Sequence, residues 1–344
     1  MLVIEMNKYA ELPLVEPLYS TYHDGILTAC INANPSIRNW FLSNTMVLTC
    51  TRKFLSGFTT PEIRVEKYSF NNPCLEIRWI PMHFLKGCIN LVIRNLIDTG
   101  YYVYFCGVDD YYVNGKSWYK ERHFKHDGTI CGYNQSDKTF CIYAYDSNWI
   151  YQKFWTPQKS FNKGREVMFK KGVPGFLCTI KPRQDKVEFS VQTALEGIAD
   201  YLDSDLVKYP EDGEGNVRGI VVHEYIAKYV GKLFDGSIPY ERMDRRVFRL
   251  IWEHKKVMLE RIEKIEQCLQ LSNEISGKYK HLVSEANNIR MLYASHHMKR
   301  RDSVLPIIKR KLLKLMDDER ELLTLLIEVA RKETKNEAVE VSQK

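Results

Sequence analysis

Two stretches near the C-terminus repeat apolar residues every three to four positions over several turns, a period that a helix carries and a strand does not. In Arg245–Leu271 they are Val247, Leu250, Ile251, Val257, Met258, Ile262, Ile265, Cys268 and Leu269. In Val304–Val329 they are Leu305, Ile308, Leu312, Leu315, Met316, Leu322, Leu323, Leu326 and Val329. Tyr279–Met298 reads as a third helix between them. Ser303 can act as an N-cap, and Pro306 is tolerated in a first turn. The expectation is an antiparallel bundle whose stripes are core rather than a cofactor site.

Upstream the texture changes. Residues 1–185 are rich in Tyr, Trp, Phe and Cys, in short apolar runs broken by polar turns. Leu85–Thr99 reads as a helix stopped by Gly100. The run YYVYFCGVDDYYV gives strand-like segments at Tyr101–Gly107 and Asp110–Val113. Pro17–Asn34 reads as a loop entering a short helix that starts at Asp24 or Gly25 and ends before Pro35. The 344 residues thus divide into an α+β domain over 1–185, a helical bundle over 186–335 and a fraying charged tail over 336–344.

Composition narrows the class. The chain is 44% hydrophobic and 27% charged, enough apolar residues for real cores. No run approaches the roughly 18 apolar residues of a membrane span. The opening MLVIEMNKYAELPLVEP lacks a basic segment followed by an apolar one, so no signal peptide is expected. Nine cysteines are scattered singly, without a CxxC pair or zinc spacing, which suits reduced thiols in a cytoplasmic protein with no bound metal or cofactor.

Charge is uneven. From Tyr240 onward there are 23 Lys/Arg against 17 Asp/Glu, so the helical part carries most of the net +7. Lys299-Arg300-Arg301 and Lys309-Arg310-Lys311 with Lys314 form local clusters, and Arg310 and Lys314 share a helix face. They suit an acidic partner or a solvated helix surface. Nucleic acid is not expected, because acids interleave with the bases and no recognised motif is present.

The segment HFKHDGTICGYNQSDKTFCIYAYDSNW carries the candidate chemistry. Thr129–Asn134 and Thr139–Tyr145 read as strands of a hairpin around the turn Gln135–Lys138. With Asn134 facing Thr139, His126 falls opposite Ser147; a one-residue bulge brings it opposite Asp146. A histidine and an aspartate so placed could share a hydrogen bond that orients the imidazole. The other reading is a lone strand histidine beside an aspartate that caps a turn.

These stretches resemble the butirosin-biosynthesis acyltransferase family, papain-like cysteine enzymes that move acyl groups from carrier proteins to amines. They also resemble a related amide-forming cysteine-protease homologue of closthioamide biosynthesis. The resemblance spans most of residues 10–330. It rests on LPLVEPLYSTYHDGILTACINANPSIRNWF, VYFCGVDDYYV, HDGTICGYNQSDKTFCIYAYD, ALEGIADYLDSD and FRLIWEHKKVMLERI. It implies a papain-like first domain, His126 as general base and Asp146 as its orienting acid. The implied partners are an acidic acyl or peptidyl carrier protein, whose phosphopantetheine arm is part of the substrate, and a small amine acceptor.

A papain-like nucleophile stands at a helix N-terminus, where the dipole stabilises a thiolate. Here Cys30 is the only thiol near the expected helix. If that helix starts at Gly25, Cys30 joins Ile26 and Leu27 on a core face; if it starts near Thr28, Cys30 enters the first turn and becomes reactive. An acyltransferase using Cys30, His126 and Asp146 therefore stands beside an inactive scaffold that binds a carrier protein or peptide. Hydrolysis of a thioester or peptide would use the same residues.

Overall fold

The computed structural model describes residues 8–20, 34–55, 60–66, 73–148, 150–183, 186–204 and 216–342, with side chains to 334. Along the chain come β1 (Tyr9–Glu11), α1 (Pro35–Asn44), β2 (Leu48–Thr51), β3 (Ile63–Val65), β4 (Leu75–Pro81) and α2 (Ile89–Asp98). Then follow β5 (Tyr102–Asp109), β6 (Lys125–Asn134), β7 (Thr139–Tyr145), β8 (Tyr151–Pro157), α3 (Gln158–Lys170) and β9 (Phe176–Pro182). The rest is α4 (Val191–Leu202), β10 (Asn216–Arg218), α5 (Val222–Phe234), α6 (Arg246–Cys268), α7 (Glu274–Lys299) and α8 (Leu305–Ser342). No described helix is long and apolar enough to cross a membrane.

The chain is mixed α and β and separates into two compact units, residues 1–38 with 70–186, and 39–69 with 187–344. This differs from a single cut after residue 185 in one respect: residues 39–69 belong with the helices. Long-range bonds explain it. Arg261 donates to the carbonyls of Leu42 and Thr45, His254 Nε2 lies 2.7 Å from the Met46 carbonyl, and β2 pairs with β10 and β3.

The first unit is built on a seven-stranded antiparallel sheet in the order β4-β9-β5-β6-β7-β8, with β1 added alongside β6. Alternation along the strands sends Val103, Phe105, Ile130, Ile142 and Leu177 into one core. Ile89, Ile93 and Ile97 of α2 meet them at four-residue spacing, and Phe161 of α3 stands edge-on to Phe105. Truncating Phe105 would cost about 3–5 kcal/mol. On the β5 and β7 tyrosines of the sheet, hydroxyls hold the chain of residues 13–20: Tyr102 donates to the Pro13 carbonyl, Tyr143 to that of Val15 and Tyr145 to that of Ser20. The tyrosine richness of this half thus serves both packing and backbone satisfaction.

The expected hairpin forms, with Asn134 opposite Thr139, and a bulge at Cys131 moves the register by one residue to Thr129 opposite Tyr143. Asp110–Tyr112 is a turn of 3-10 helix rather than a strand, because Asp109 accepts from the Tyr111 N–H and caps it. The helix expected to end before Pro35 lies outside the described residues. A helix begins at Pro35, whose fixed φ suits a first turn, while the Asn34 side chain accepts from the N–H of Ser36 and Ile37.

In the second unit α6 packs on α7, α7 on α8, and α8 also on α5 and α4. The stripe residues Val247, Leu250, Ile262, Leu305, Leu312 and Leu323 are buried. Three sequence expectations need adjustment. Cys268 is exposed, because it ends α6. The helix of the Val304–Val329 stripe continues through the expected tail to Ser342. The core is not purely apolar: Glu319 of α8 pairs with Lys255 of α6 at 2.5 Å, both fully buried.

Candidate active site

The C-terminal end of β5 lies at a cluster of titratable groups: Asp109, Asp110, Lys116, His123, His126 and Asp127. A bulge between Cys106 and Val108 places Gly107 at φ +89°, a region that suits glycine. The bulge aims two consecutive acids, Asp109 and Asp110, both buried. Helix α3 fixes them from one side: a Cβ on Gly164 would lie 2.8 Å from the Asp109 carbonyl oxygen.

Each acid holds one histidine. Asp109 accepts from the backbone N–H of Tyr111 and Phe124 through Oδ1, and its Oδ2 lies 2.7 Å from His123 Nδ1. The His123 ring stacks on Tyr111 with centroids 4.4 Å apart. Asp110 Oδ2 lies 2.7 Å from His126 Nδ1. Asp110 Oδ1 has no hydrogen-bond partner and sits 3.8 Å from the ammonium of Lys116, whose side chain is fully buried. That ammonium donates to the Asp127 carbonyl at 2.6 Å and lies 3.3 Å from His126 Nδ1.

These distances decide the tautomer of His126. A carboxylate and an ammonium both approach Nδ1, and the carboxylate is nearer. An ionised carboxylate only accepts and an ammonium only donates. Nδ1 therefore carries the hydrogen and donates to Asp110, and Lys116 makes an electrostatic contact rather than a bond to the ring. Nε2 has no described hydrogen bond and belongs to a side chain 27% exposed, with Asp127 Oδ1 3.8 Å away. Asp127 in turn accepts from Tyr104, whose hydroxyl is pushed far up by burial and by that carboxylate. A buried acid on Nδ1 and a partly exposed Nε2 is the arrangement that general-base chemistry calls for.

Asp146 does not play the part expected from the hairpin. The β6–β7 bulge has the right sense to bring it opposite His126, but β7 ends at Tyr145 and His126 pairs with Val108 of β5. The Asp146 carboxylate instead accepts from the N–H of Asn148 and Ile150 and from Gln152. Burial opposes its ionisation, yet these donors hold it below the usual carboxylate range. Asp146 thus caps a turn, and its main chain bridges to Lys116 while its carbonyl accepts from Ser117. Asp110 contacts His126 in its place, because β5, not β7, pairs with β6 at His126.

Cys30 lies outside the described residues. Among the described thiols, burial pushes Cys50 and Cys178 up to about 12, and burial with Asp127 raises Cys106. Cys131 is raised as well, by its contact with Cys141 and by burial. Half-buried Cys88 occupies the N-cap of α2, a position missed in the sequence because the helix was expected to begin three residues earlier, at Leu85. Among the described residues no cluster of three or more His, Cys, Asp or Glu is arranged to hold a metal ion.

In the second unit, Lys309 and Arg310 are exposed and line an open groove along α8 with Leu313, Lys314 and Asp317. Lys311 pairs with Glu285 at 2.7 Å and Lys314 with Asp318 at 2.8 Å. No protein-family model matches this chain, and no curated protein matches it.

Proposed function

We propose that the chain is a cysteine-dependent acyltransferase with a papain-like first domain, in which His126 Nε2 is the general base. The observation that supports it is the Asp110-held ring with an open Nε2. In this reading Cys30 gives its proton to Nε2, and its sulfur attacks the thioester carbonyl of an acyl or peptidyl carrier protein. The carbon–sulfur bond to the phosphopantetheine arm breaks, and that thiol leaves with the proton from Nε2. A small amine then gives a proton to Nε2 and attacks the acyl-enzyme, forming the amide and releasing the Cys30 thiol. Lys309, Arg310, Lys311 and Lys314 are the proposed docking charges for the acidic carrier. Water in place of the amine would give hydrolysis by the same residues.

A second reading follows from the thiols. Every described cysteine with a displaced pKa is displaced upward, away from thiolate character. This suits a catalytically inactive scaffold that binds a carrier protein or a peptide intermediate.

Intact-mass spectrometry after incubation with a panel of acyl-loaded carrier proteins separates the readings. Acyltransfer predicts an adduct of the acyl mass that is lost in Cys30→Ala and forms about 10²–10⁴-fold more slowly in His126→Gln. Loss in Cys88→Ala with retention in Cys30→Ala reassigns the nucleophile. Carrier binding without any adduct favours the scaffold.

A further inference from the structure

We infer that Lys116 is a positioning residue that keeps His126 available as a base by balancing the buried charge of Asp110. The inference deepens the general-base reading and rests on it for its functional meaning. A carboxylate as buried as Asp110 requires a positive partner. Two candidates surround it: the Lys116 ammonium, 3.8 Å from Oδ1, and the His126 ring, 2.7 Å from Oδ2. If the ring alone met this need, it would hold protons on both nitrogens, and Nε2 could not accept another. With Lys116 in place the carboxylate is already compensated. The ammonium 3.3 Å from Nδ1 also opposes a second positive charge on the ring.

The chain invests in this placement. Gly115, at φ +96°, precedes Lys116, and a Cβ there would lie 2.4 Å from the Phe154 ring, so the loop is pressed onto β8. Ser147 N–H donates to the Gly115 carbonyl, Ser117 donates to the Asp146 carbonyl, and Lys116 itself bridges to Asp146. The turn capped by Asp146 thereby locks the loop that delivers the ammonium. Asp146 thus reaches His126 through Lys116 and not by direct contact.

Among the described residues, few groups face the ring. Asp110 and Lys116 face Nδ1, and Asp127 of its own strand faces Nε2. The Tyr104 hydroxyl reaches Asp127 from β5, and the Phe124 ring packs edge-on at 5.4 Å. Asp109 and His123 form the adjoining pair. Of these, only Lys116 opposes protonation through charge.

The test is ¹⁵N-histidine NMR of the full chain across pH, with the His126 signals assigned by their loss in His126→Gln. In Lys116→Met the proton affinity of the ring should rise at least about tenfold relative to wild type, while Lys116→Arg stays close to wild type. Identical protonation curves for wild type and Lys116→Met would overturn the inference. If Lys116→Met does not fold, Lys116→Met/Asp110→Asn decides, because that pair leaves no buried charge unbalanced. Folding of the double variant then supports charge balance, and failure of both shows that Lys116 acts by packing and overturns it. The readout is independent of acyl transfer. A chain that acylates nothing can still pass this test, and an active enzyme can still fail it.

Discussion

At Asp110, exchanging the carboxylate for a carboxamide should move one proton on the His126 ring. In Asp110→Asn the Lys116 ammonium draws the amide oxygen toward itself, so the amide NH₂ faces His126 Nδ1. Nδ1 then accepts, the hydrogen moves to Nε2, and the base is lost. Acyl-enzyme formation should fall about 10²–10⁴-fold, and the ¹⁵N pattern of the ring should switch tautomer. Asp146→Ala should instead cost about 1–3 kcal/mol of stability, from the donors it leaves buried, and keep the tautomer. A tautomer switch in Asp146→Ala but not in Asp110→Asn would restore the acid expected from the hairpin. The sequence pointed to His126 through the register of a tight turn, although the β6–β7 pairing ends at Thr129 and does not reach it. Asp110 was not legible as its partner: β5 and β6 are joined by a long loop, whose length leaves their register open.

At the scale of elements, two contrasts can be measured. Gly164 lets α3 approach the Asp109 backbone, whereas Gly277 in α7 has nothing within 4 Å of an added Cβ. Gly164→Ala should therefore cost about 1–3 kcal/mol through overpacking and displace the paired acids. Gly277→Ala should add about 0.5–1 kcal/mol of helix stability. Thermal melts of opposite sign are expected, and equal shifts would remove α3 as the clamp on Asp109. The second contrast is acid response. His223 is held down to about 3 by burial and by Lys255, and His254 well below its usual value by the same two causes. Unfolded, both titrate near 6.5, so unfolding takes up protons as pH falls. Their contribution is fully present above pH 6.5 and is lost below it, by up to about 1.4 kcal/mol per pH unit for each ring. Glu319, where burial opposes ionisation but Lys255 outweighs it, is held to about 2 and begins to lose its contribution only below about 4.5. Urea midpoints between pH 7.5 and 5.0 thus isolate the histidines, and a flat series would refute the argument. Periodicity revealed these helices, but it does not reveal that Lys255 and Glu319 are buried, because burial depends on partners far along the chain.

For the whole molecule, the same limit applies to domain boundaries and to the reading of charge. The change of texture near residue 186 was visible, but the assignment of 39–69 to the second unit depends on Arg261 and His254 meeting carbonyls more than 200 positions away. Charge counted along the sequence also overstates what a partner could meet. Of the four proposed docking residues, Lys311 and Lys314 already have acidic neighbours, which leaves Lys309 and Arg310 as the exposed cations without a described ion pair. Asp317 in the same groove weakens the field further. If an acidic carrier protein docks here, Lys309→Glu with Arg310→Glu should account for nearly all the effect of reversing Lys309, Arg310 and Lys311 together. The Lys311 change should add little beyond the loss of its Glu285 pair, about 0–1 kcal/mol at a surface. The effect belongs mainly in the association rate. It should shrink between low salt and about 0.5 M, because charges beyond a Debye length of about 10 Å at 0.1 M are screened. Stopped-flow association with an acyl-loaded carrier protein, at two salt concentrations and for both variants, checks this. A double variant that associates as fast as wild type at low salt would remove α8 as the docking face and leave the His126 site without a charge-steered partner.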